Sequence, residues 1–409
     1  MGLLTDARAR WAKRRAATDR ARILHEIIAD HEDIWRRLCA AVGLSTSVDT
    51  ASGVTVVTPR LVNADISGPN LVLVVKLLPG QLPADFEAVA AQIAPALGVP
   101  RVRITPRDLH WIRIELLQRD PLDVRVTTPR IGRSLSVADH PVLVAQTEDG
   151  VSISMSWISA PHAVVQGATR SGKSVWCYST LAQLADFDDV VIAGSDPSGL
   201  LLGRPFVNSR HTSWQVTGSR DVLAHLALLR LLVDEMDERI ATLPPRVDKL
   251  DEFTIDCPLV VVVLEEFAGL LRLASTASAP KGEAKVRDQL LGLYGRLVSE
   301  GHKAGFRLLV VTQRADATVV GGFERGQLGL KISFRVDDDE ALPMLHGSGS
   351  RALVSEHRYA APGIALLDSP LHRLGRVRGP RLPGDEATDY ARYWDEIATA
   401  AARLHVVAA

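Results

Sequence analysis

The chain has 409 residues, which at ~150 residues per domain points to two or three domains. Hydrophobic residues make up 46% and charged residues 23%, close to the globular average, and this excludes disordered, collagen-like and coiled-coil classes. With 47 basic against 48 acidic residues and a net charge of −1, a uniformly basic nucleic-acid coat is excluded, so any grip on nucleic acid has to be local.

Residues 1 to about 44 read as helix: no Pro or Gly interrupts Leu3 to Val42, and Gly43 is a stop signal. Its first part is basic (Arg8, Arg10, Lys13, Arg14, Arg15, Arg20, Arg22) and lacks the apolar stretch of a secretory signal. Such a run is usually a solvated helix face; the alternative is a contact with anionic lipid or DNA. Residues 45 to 68 are Ser-, Thr-, Val- and Gly-rich, with a strand-like Val54–Val57. Leu71 to Leu78 then reads as a strand, Pro79-Gly80 as a turn, Pro83 to Leu97 as helix, and Val102–Ile104 and His110–Leu116 as strands. That order predicts a compact α+β module. From Val142 to about 368, strands alternate with helices, which predicts an α/β domain with a mostly parallel sheet covered on both faces. Asp385 to Val407 reads as a terminal helix. The resulting division is 1–68 as helical region and linker, 69–125 as the α+β module, 126–380 as the α/β domain and 381–409 as the C-terminal helix. The longest apolar run, Leu259 to Leu264, is far short of the ~20 residues that span a bilayer. Cys39, Cys177 and Cys257 show no C-x-x-C spacing, so neither a zinc site nor a disulfide framework is expected, and the compartment reads as reducing.

The strongest motif is Gly167-Ala168-Thr169-Arg170-Ser171-Gly172-Lys173-Ser174, which fits G-x-x-x-x-G-K-[ST] at every fixed position. Glycines let the backbone curl so that successive N–H groups face phosphate oxygens. Lys173 then reaches the β- and γ-phosphates, and the Ser174 hydroxyl is placed for Mg²⁺. His162 to Val165 suits the strand before the loop. Val175 to Leu184 suits the helix after it, whose dipole favours an anion. The expected ligands are ATP and Mg²⁺, held by residues 167–175, Val175 included.

Pro258 to Leu264 is a buried β-branched strand ending in Glu265-Glu266. P-loop ATPases need such acids beside the phosphates: Glu265 for the metal, directly or through water, and Glu266 to polarise the attacking water. Phe306 to Val311 runs into Thr312-Gln313-Arg314, placing Gln313 at a strand tip where it can sense the γ-phosphate. Asp196, in Gly194-Ser195-Asp196-Pro197, is either an outer member of the site or a turn residue.

Together these stretches resemble the FtsK/SpoIIIE family of hexameric DNA translocases. The likeness rests on GATRSGKS, on Val263-Leu264-Glu265-Glu266-Phe267-Ala268, on Val311-Thr312-Gln313-Arg314 and on Asp196-Pro197. Lys76 to Arg113 is similar to the smaller module that precedes the motor in that family. Two features depart from the pattern. Glu265 stands where an Asp is expected, and Lys331, in Leu328 to Val336, stands where the family keeps a trans arginine. Lysine is a point charge rather than a fork, so the trans contact passes either through Lys331 or to Arg335 or Arg325. The stretch Arg314 to Arg325, with Gly321-Gly322, is a candidate flexible loop at the ring face. No winged helix is expected to follow the motor.

The resemblance implies a RecA-like, ASCE-type P-loop motor of the actinobacterial conjugative or integrative type. Its catalytic residues would be Lys173, Glu265, Glu266, Gln313 and Lys331, and its metal ligands Ser174 and Glu265. Its partners would be double-stranded DNA without strong sequence preference, further copies forming a hexamer, and membrane-associated proteins. The location would be cytoplasmic or peripheral at the membrane. Two other readings stand beside it: a protein-export ATPase similar to type VII secretion motors, and an ATP-binding regulatory subunit with little turnover.

Overall fold

The computed structural model describes residues 32–50, 53–67, 70–129, 136–207, 210–279, 281–315 and 317–383. The basic N-terminal stretch and the expected C-terminal helix lie outside these residues. The chain divides into Met1–Asp123 and Val124–Ala409.

The first unit holds a two-stranded ribbon, β1 (Thr46–Thr50) and β2 (Gly53–Val57), and a four-stranded antiparallel sheet. The sheet consists of β3 (Arg60–Ser67), β4 (Asn70–Lys76), β5 (Arg101–Asp108) and β6 (Trp111–Leu117), in the order β3-β4-β6-β5. Alternation explains its inward face: Leu73 and Val75 of β4 and Ile112, Ile114 and Leu116 of β6 share one core with Phe86 and Ile93. Trp35, from a helix over 32–41, stacks on Phe86 and donates through Nε1 to the Pro59 carbonyl at 2.7 Å. The helix over 32–41 and β3 thus share this core, although the sequence reading set residues 1–68 apart. The sequence missed β3 because Asn63, Ala64 and Asp65 give it a weak β signature. The expected single helix Pro83 to Leu97 is two, Pro83–Glu87 and Ala90–Ala96.

The second unit is α/β, built on one ten-stranded sheet. Its strands are β7 (Val142–Thr147), β8 (Ser152–Met155), β9 (Ala163–Gln166), β10 (Val190–Asp196), β11 (Gln215–Thr217), β12 (Leu259–Glu265), β13 (Phe306–Thr312), β14 (Leu330–Phe334), β15 (Ile364–Ser369) and β16 (His372–Arg378). The order is β11-β10-β12-β13-β9-β14-β15-β16-β7-β8. The run from β11 to β14 is parallel, and β15, β16, β7 and β8 extend it antiparallel.

Both faces of the parallel part are covered, which is why its strands read as unbroken apolar runs. Val261 and Val263 of β12 pack with Trp176, Leu181 and Leu184 of the helix Lys173–Ala185. Val260, Val262 and Leu264 pack on the other side with the helices Val222–Ala241, Phe267–Ala274 and Val286–Glu300. At Gly194 (φ 149°) an added Cβ would lie 2.1 Å from the Val263 carbonyl oxygen, so β10 and β12 close only over glycine. Arg307 is fully buried at the start of β13. It is held by carbonyls rather than an acid: it donates to Trp157 and Ile158 on one side and to His302 and Phe306 on the other. Burial pulls its pKa down to about 10.

Buried histidines give this fold an acid liability. His162 accepts from the Leu308 N–H at 3.0 Å and is driven down to about 3, first by burial and then by Arg307 and His302. Burial also lowers His346, to about 3, and His357. Below the unfolded value of about 6.5, the unfolded chain takes up protons that the folded chain refuses. Stability is therefore full above pH 6.5 and falls as the pH drops, by up to about 1.4 kcal/mol per pH unit for each such histidine. Denaturant titrations between pH 7 and 5 should show this loss, and His162→Gln should lower the slope by about one proton. An unchanged slope would place the acid sensitivity elsewhere.

Candidate functional site

β9 ends at Gln166 and the chain turns through 167–172 into the helix Lys173–Ala185, which contains no Gly or Pro. Two residues of the turn are left-handed, Arg170 (φ 62°) and Gly172 (φ 105°). Gly172 is required on a second count: a Cβ there would lie 2.5 Å from the Gly363 nitrogen. The loop is pinned from outside, by Ala168 N–H donating to the Arg335 carbonyl (2.8 Å) and by Gly363 N–H donating to the Ser171 carbonyl (2.8 Å). No side chain caps the helix, so its first-turn N–H groups are free to meet an anion.

The loop lines a cavity of about 400 Å³. Of residues 167–175, all but Gly167 face it. Gly167 sits behind, where a Cβ would be 2.6 Å from Ser171 Oγ and 2.8 Å from Phe334 Cβ. Its place is set by close packing. Ser171 Oγ is buried with no hydrogen-bond partner.

Glu265, Glu266 and Gln313 line the same cavity as Lys173 and Ser174. β13 lies between β9 and β12, so the ends of these parallel strands share one edge of the sheet. At the end of β12 Glu266 adopts a left-handed conformation (φ 48°), and its N–H donates to the Val311 carbonyl at 2.8 Å. That sharp turn lets two successive carboxylates face one cavity. Glu265 is raised to about 7, by burial first, then by Asp196 and Glu266, with Lys173 opposing. Its Oε2 is buried and unpartnered. A cation beside it would reverse that penalty, and Ser174 with Glu265 supplies the hard oxygen donors that Mg²⁺ takes. Among the described residues no cluster of three His, Cys, Asp or Glu could hold a metal. A metal here would therefore draw its further ligands from water and phosphate oxygens. A second cavity, about 540 Å³, is lined by Glu265, Glu266 and Gln313 together with Arg272 and Leu273.

Asp196 does both things that its sequence allowed: it stands beside Glu265, whose pKa it raises, and it builds the turn. It is fully buried and accepts from Ser198 Oγ (2.6 Å) and from the N–H groups of Gly199, Leu201 and Leu202 (2.9, 2.9 and 2.8 Å). The loop it holds carries Ser198, Leu200 and Leu201 to the cavity wall. Those residues were missed, because nothing in a local pattern ties them to the P-loop. Cys177 and Tyr178 also line the cavity. Their spacing of three and four from Ser174, one helix face, was a signal that could have found them.

Lys331 does not line the cavity. It lies on β14, opposite Val164 of β9 and Asp368 of β15. The stretch Arg314 to Arg325, read as a flexible loop, instead contains two short helices, Ala317–Val320 and Gly322–Gln327. Val319 and Val320 anchor it in the core, and Arg325 Nη1 donates to the Met344 carbonyl at 3.0 Å.

No family model matches the chain. Transfer protein TraSA of Streptomyces ambofaciens is 28% identical over 353 residues, covering 81% of this chain and 81% of that protein. DNA translocase FtsK of Haemophilus influenzae is 25% identical over 340 residues, covering 74% of this chain and 59% of FtsK. FtsK of Borreliella burgdorferi is 26% identical over 231 residues, covering 53% of this chain and 27% of FtsK. The chain thus spans 59% and 27% of these two FtsK proteins, less than two thirds of either. Among solved structures, the pCW3 conjugation coupling protein TcpA, in its monomer form with ATPgS, superposes with a TM-score of 0.54 at 17% identity. That match covers 90% of this chain and 99% of TcpA, a likeness of fold. These matches bear out the resemblance to FtsK-type DNA translocases.

Asp196→Ala should strip the acceptor from the 198–202 loop and leave the buried Leu201 and Leu202 N–H groups unpaired. Each such orphan costs about 1–3 kcal/mol. We expect a lower melting temperature together with weaker nucleotide binding in a titration. Unchanged melting with lost turnover would instead put Asp196 in contact with the reacting groups.

Proposed function

We propose that this chain is an ATPase that drives double-stranded DNA through a hexameric ring, in the service of conjugative transfer. The observation that carries the reading is the convergence of Lys173, Ser174, Glu265, Glu266 and Gln313 on one cavity at the ends of three parallel strands. The DNA translocases and the transfer protein among its relatives support the substrate.

In this reading the loop N–H groups and Lys173 bind the β- and γ-phosphates. Ser174 and Glu265 would hold Mg²⁺, whose charge offsets that of the phosphates. Glu266 takes a proton from the attacking water, and Gln313 contacts the γ-phosphate side. The cavity lined by Glu265, Glu266, Gln313 and Arg272 fits a basic group from a neighbouring subunit. Lys331 is our candidate for it, presented from a second copy. DNA would be held through phosphates, without base reading. The basic N-terminal stretch is a candidate contact with anionic lipid or DNA. Among the described residues no helix is long and apolar enough to cross a membrane.

Lys173→Ala should abolish nucleotide binding or hydrolysis; wild-type turnover would remove the loop from the mechanism. Glu266→Gln should still bind ATP but hydrolyse it about 10² to 10⁴-fold more slowly, the usual loss for a general base. Should Glu265→Gln give that phenotype instead, the two roles exchange.

Duplexes of unrelated sequence should bind alike in the presence of a non-hydrolysable ATP analogue. With ~4 to 6 phosphate contacts, affinity should fall by about 10² to 10³ between 50 and 200 mM salt. A flat salt response would remove DNA as the substrate.

A further inference from the structure

Gln166, the last residue before the phosphate loop, is 0% exposed. Its amide joins three other segments. Nε2 donates to Ser333 Oγ at 2.7 Å and to the Ala341 carbonyl at 3.1 Å, and Oε1 accepts from the Ala315 N–H at 2.8 Å. An N–H can only donate and a carbonyl can only accept, so the orientation of the amide is forced. Ser333 Oγ is in turn 2.7 Å from His346 Nε2. Burial holds His346 neutral, so this nitrogen can accept the serine proton. Register reinforces the network: Gln166 lies directly opposite Thr312 on β13 and Ser333 on β14.

The bond to Ala315 matters most for the site. Gln313 projects from the turn between Thr312 and Ala315 and is exposed. The turn is fixed in three ways: Thr312 Oγ1 donates to the Arg314 carbonyl at 2.8 Å, Arg314 is paired with Asp338, and Ala315 N–H is tied to Gln166. Only the last runs directly to the phosphate-loop strand. A leucine at 166 would fill the space, yet leave the Ala315 N–H and the Ala341 carbonyl without this partner.

We propose that Gln166 is a positioning residue that fixes the Gln313 turn against the phosphate loop, so that strand tip and loop move as one body. It touches no cavity-lining role itself and acts through Gln313. The proposal rests on the hydrolysis reading above for its kinetic consequence, but not for its structural one.

The test compares Gln166→Leu, Gln166→Glu, Gln313→Ala and the double variant Gln166→Leu/Gln313→Ala. A misplacement of ~1 Å at a reacting site can cost about 10²-fold. We expect Gln166→Leu to lower kcat by roughly ten- to a hundredfold, with the affinity for a non-hydrolysable ATP analogue within about threefold of wild type. Gln166→Glu keeps the acceptor for Ala315 but sets an oxygen where Nε2 donates to the Ala341 carbonyl, so it should keep the Ala315 bond and recover only part of the rate. The double variant should be no slower than the slower single variant, because both changes act on one device. Amide exchange at Ala315 should quicken in Gln166→Leu and not in Gln166→Glu. Multiplicative losses in the double variant, or unchanged exchange at Ala315, would overturn the proposal. A wild-type chain without ATP turnover would overturn the hydrolysis reading instead, and the exchange measurement would then decide for Gln166 by itself.

Discussion

The parallel ladder of β12, β13 and β9 is the constraint on which the site depends. Glu265 is opposite Val311, and Thr312 is opposite Gln166. Because all three strands run the same way, their carboxyl ends reach one edge of the sheet, and each chain leaves that edge in a sharp turn. The three turns carry Lys173 and Ser174, the paired glutamates, and Gln313. A slip of one residue on any strand would reverse its side chains between the two buried faces. Val260 and Val261, for example, belong to separate cores. The double-sided core therefore fixes the register, and the register fixes the chemistry.

Around that edge the backbone is held more tightly than the side chains. Gly172 passes so close to Gly363 that a Cβ on Gly172 would strike the Gly363 backbone, and Gly363 in turn donates to the Ser171 carbonyl and accepts from Gly379 N–H at 2.9 Å. The antiparallel extension thus braces the phosphate loop from behind. Charge is arranged by a similar division of labour. Asp196 satisfies its oxygens on loop N–H groups, whereas Glu265 keeps one buried oxygen unpartnered. Two neighbouring acids thus have different hydrogen-bond surroundings: one is absorbed by the fold, the other keeps an oxygen for a ligand.

Much of this was legible before folding. The phosphate loop is a contiguous string whose glycines answer to local backbone geometry, and the acidic strand announces itself by six apolar residues, Leu259 to Leu264, ending in Glu265-Glu266. The small unit was less legible, because β3 owes its place to pairing with β4 rather than to its own composition. The segment after Gln313 was misread as a loop for a related reason. Gly321-Gly322 suggested flexibility, but Val319 and Val320 find a core that local pattern does not reveal. The sequence cannot separate the two roles of Asp196, because a turn and an outer site residue share one signature, and the folded chain uses both.

The sequence by itself determined the chemistry that depends on neighbours in the chain: the curl of residues 167–172, the helix that follows, and the burial of strands β-branched on both faces. These follow from backbone sterics and hydrophobic pattern, which act over a few residues. Tertiary structure decided which of those pieces meet. It set β13 between β9 and β12, brought Leu200 and Leu201 to the cavity wall, kept Lys331 away from it, and closed the amide of Gln166 on Ala315. Each of these contacts joins residues far apart in the chain, and a hydrogen bond or a packed methyl group carries no trace in the sequence of the partner it will find.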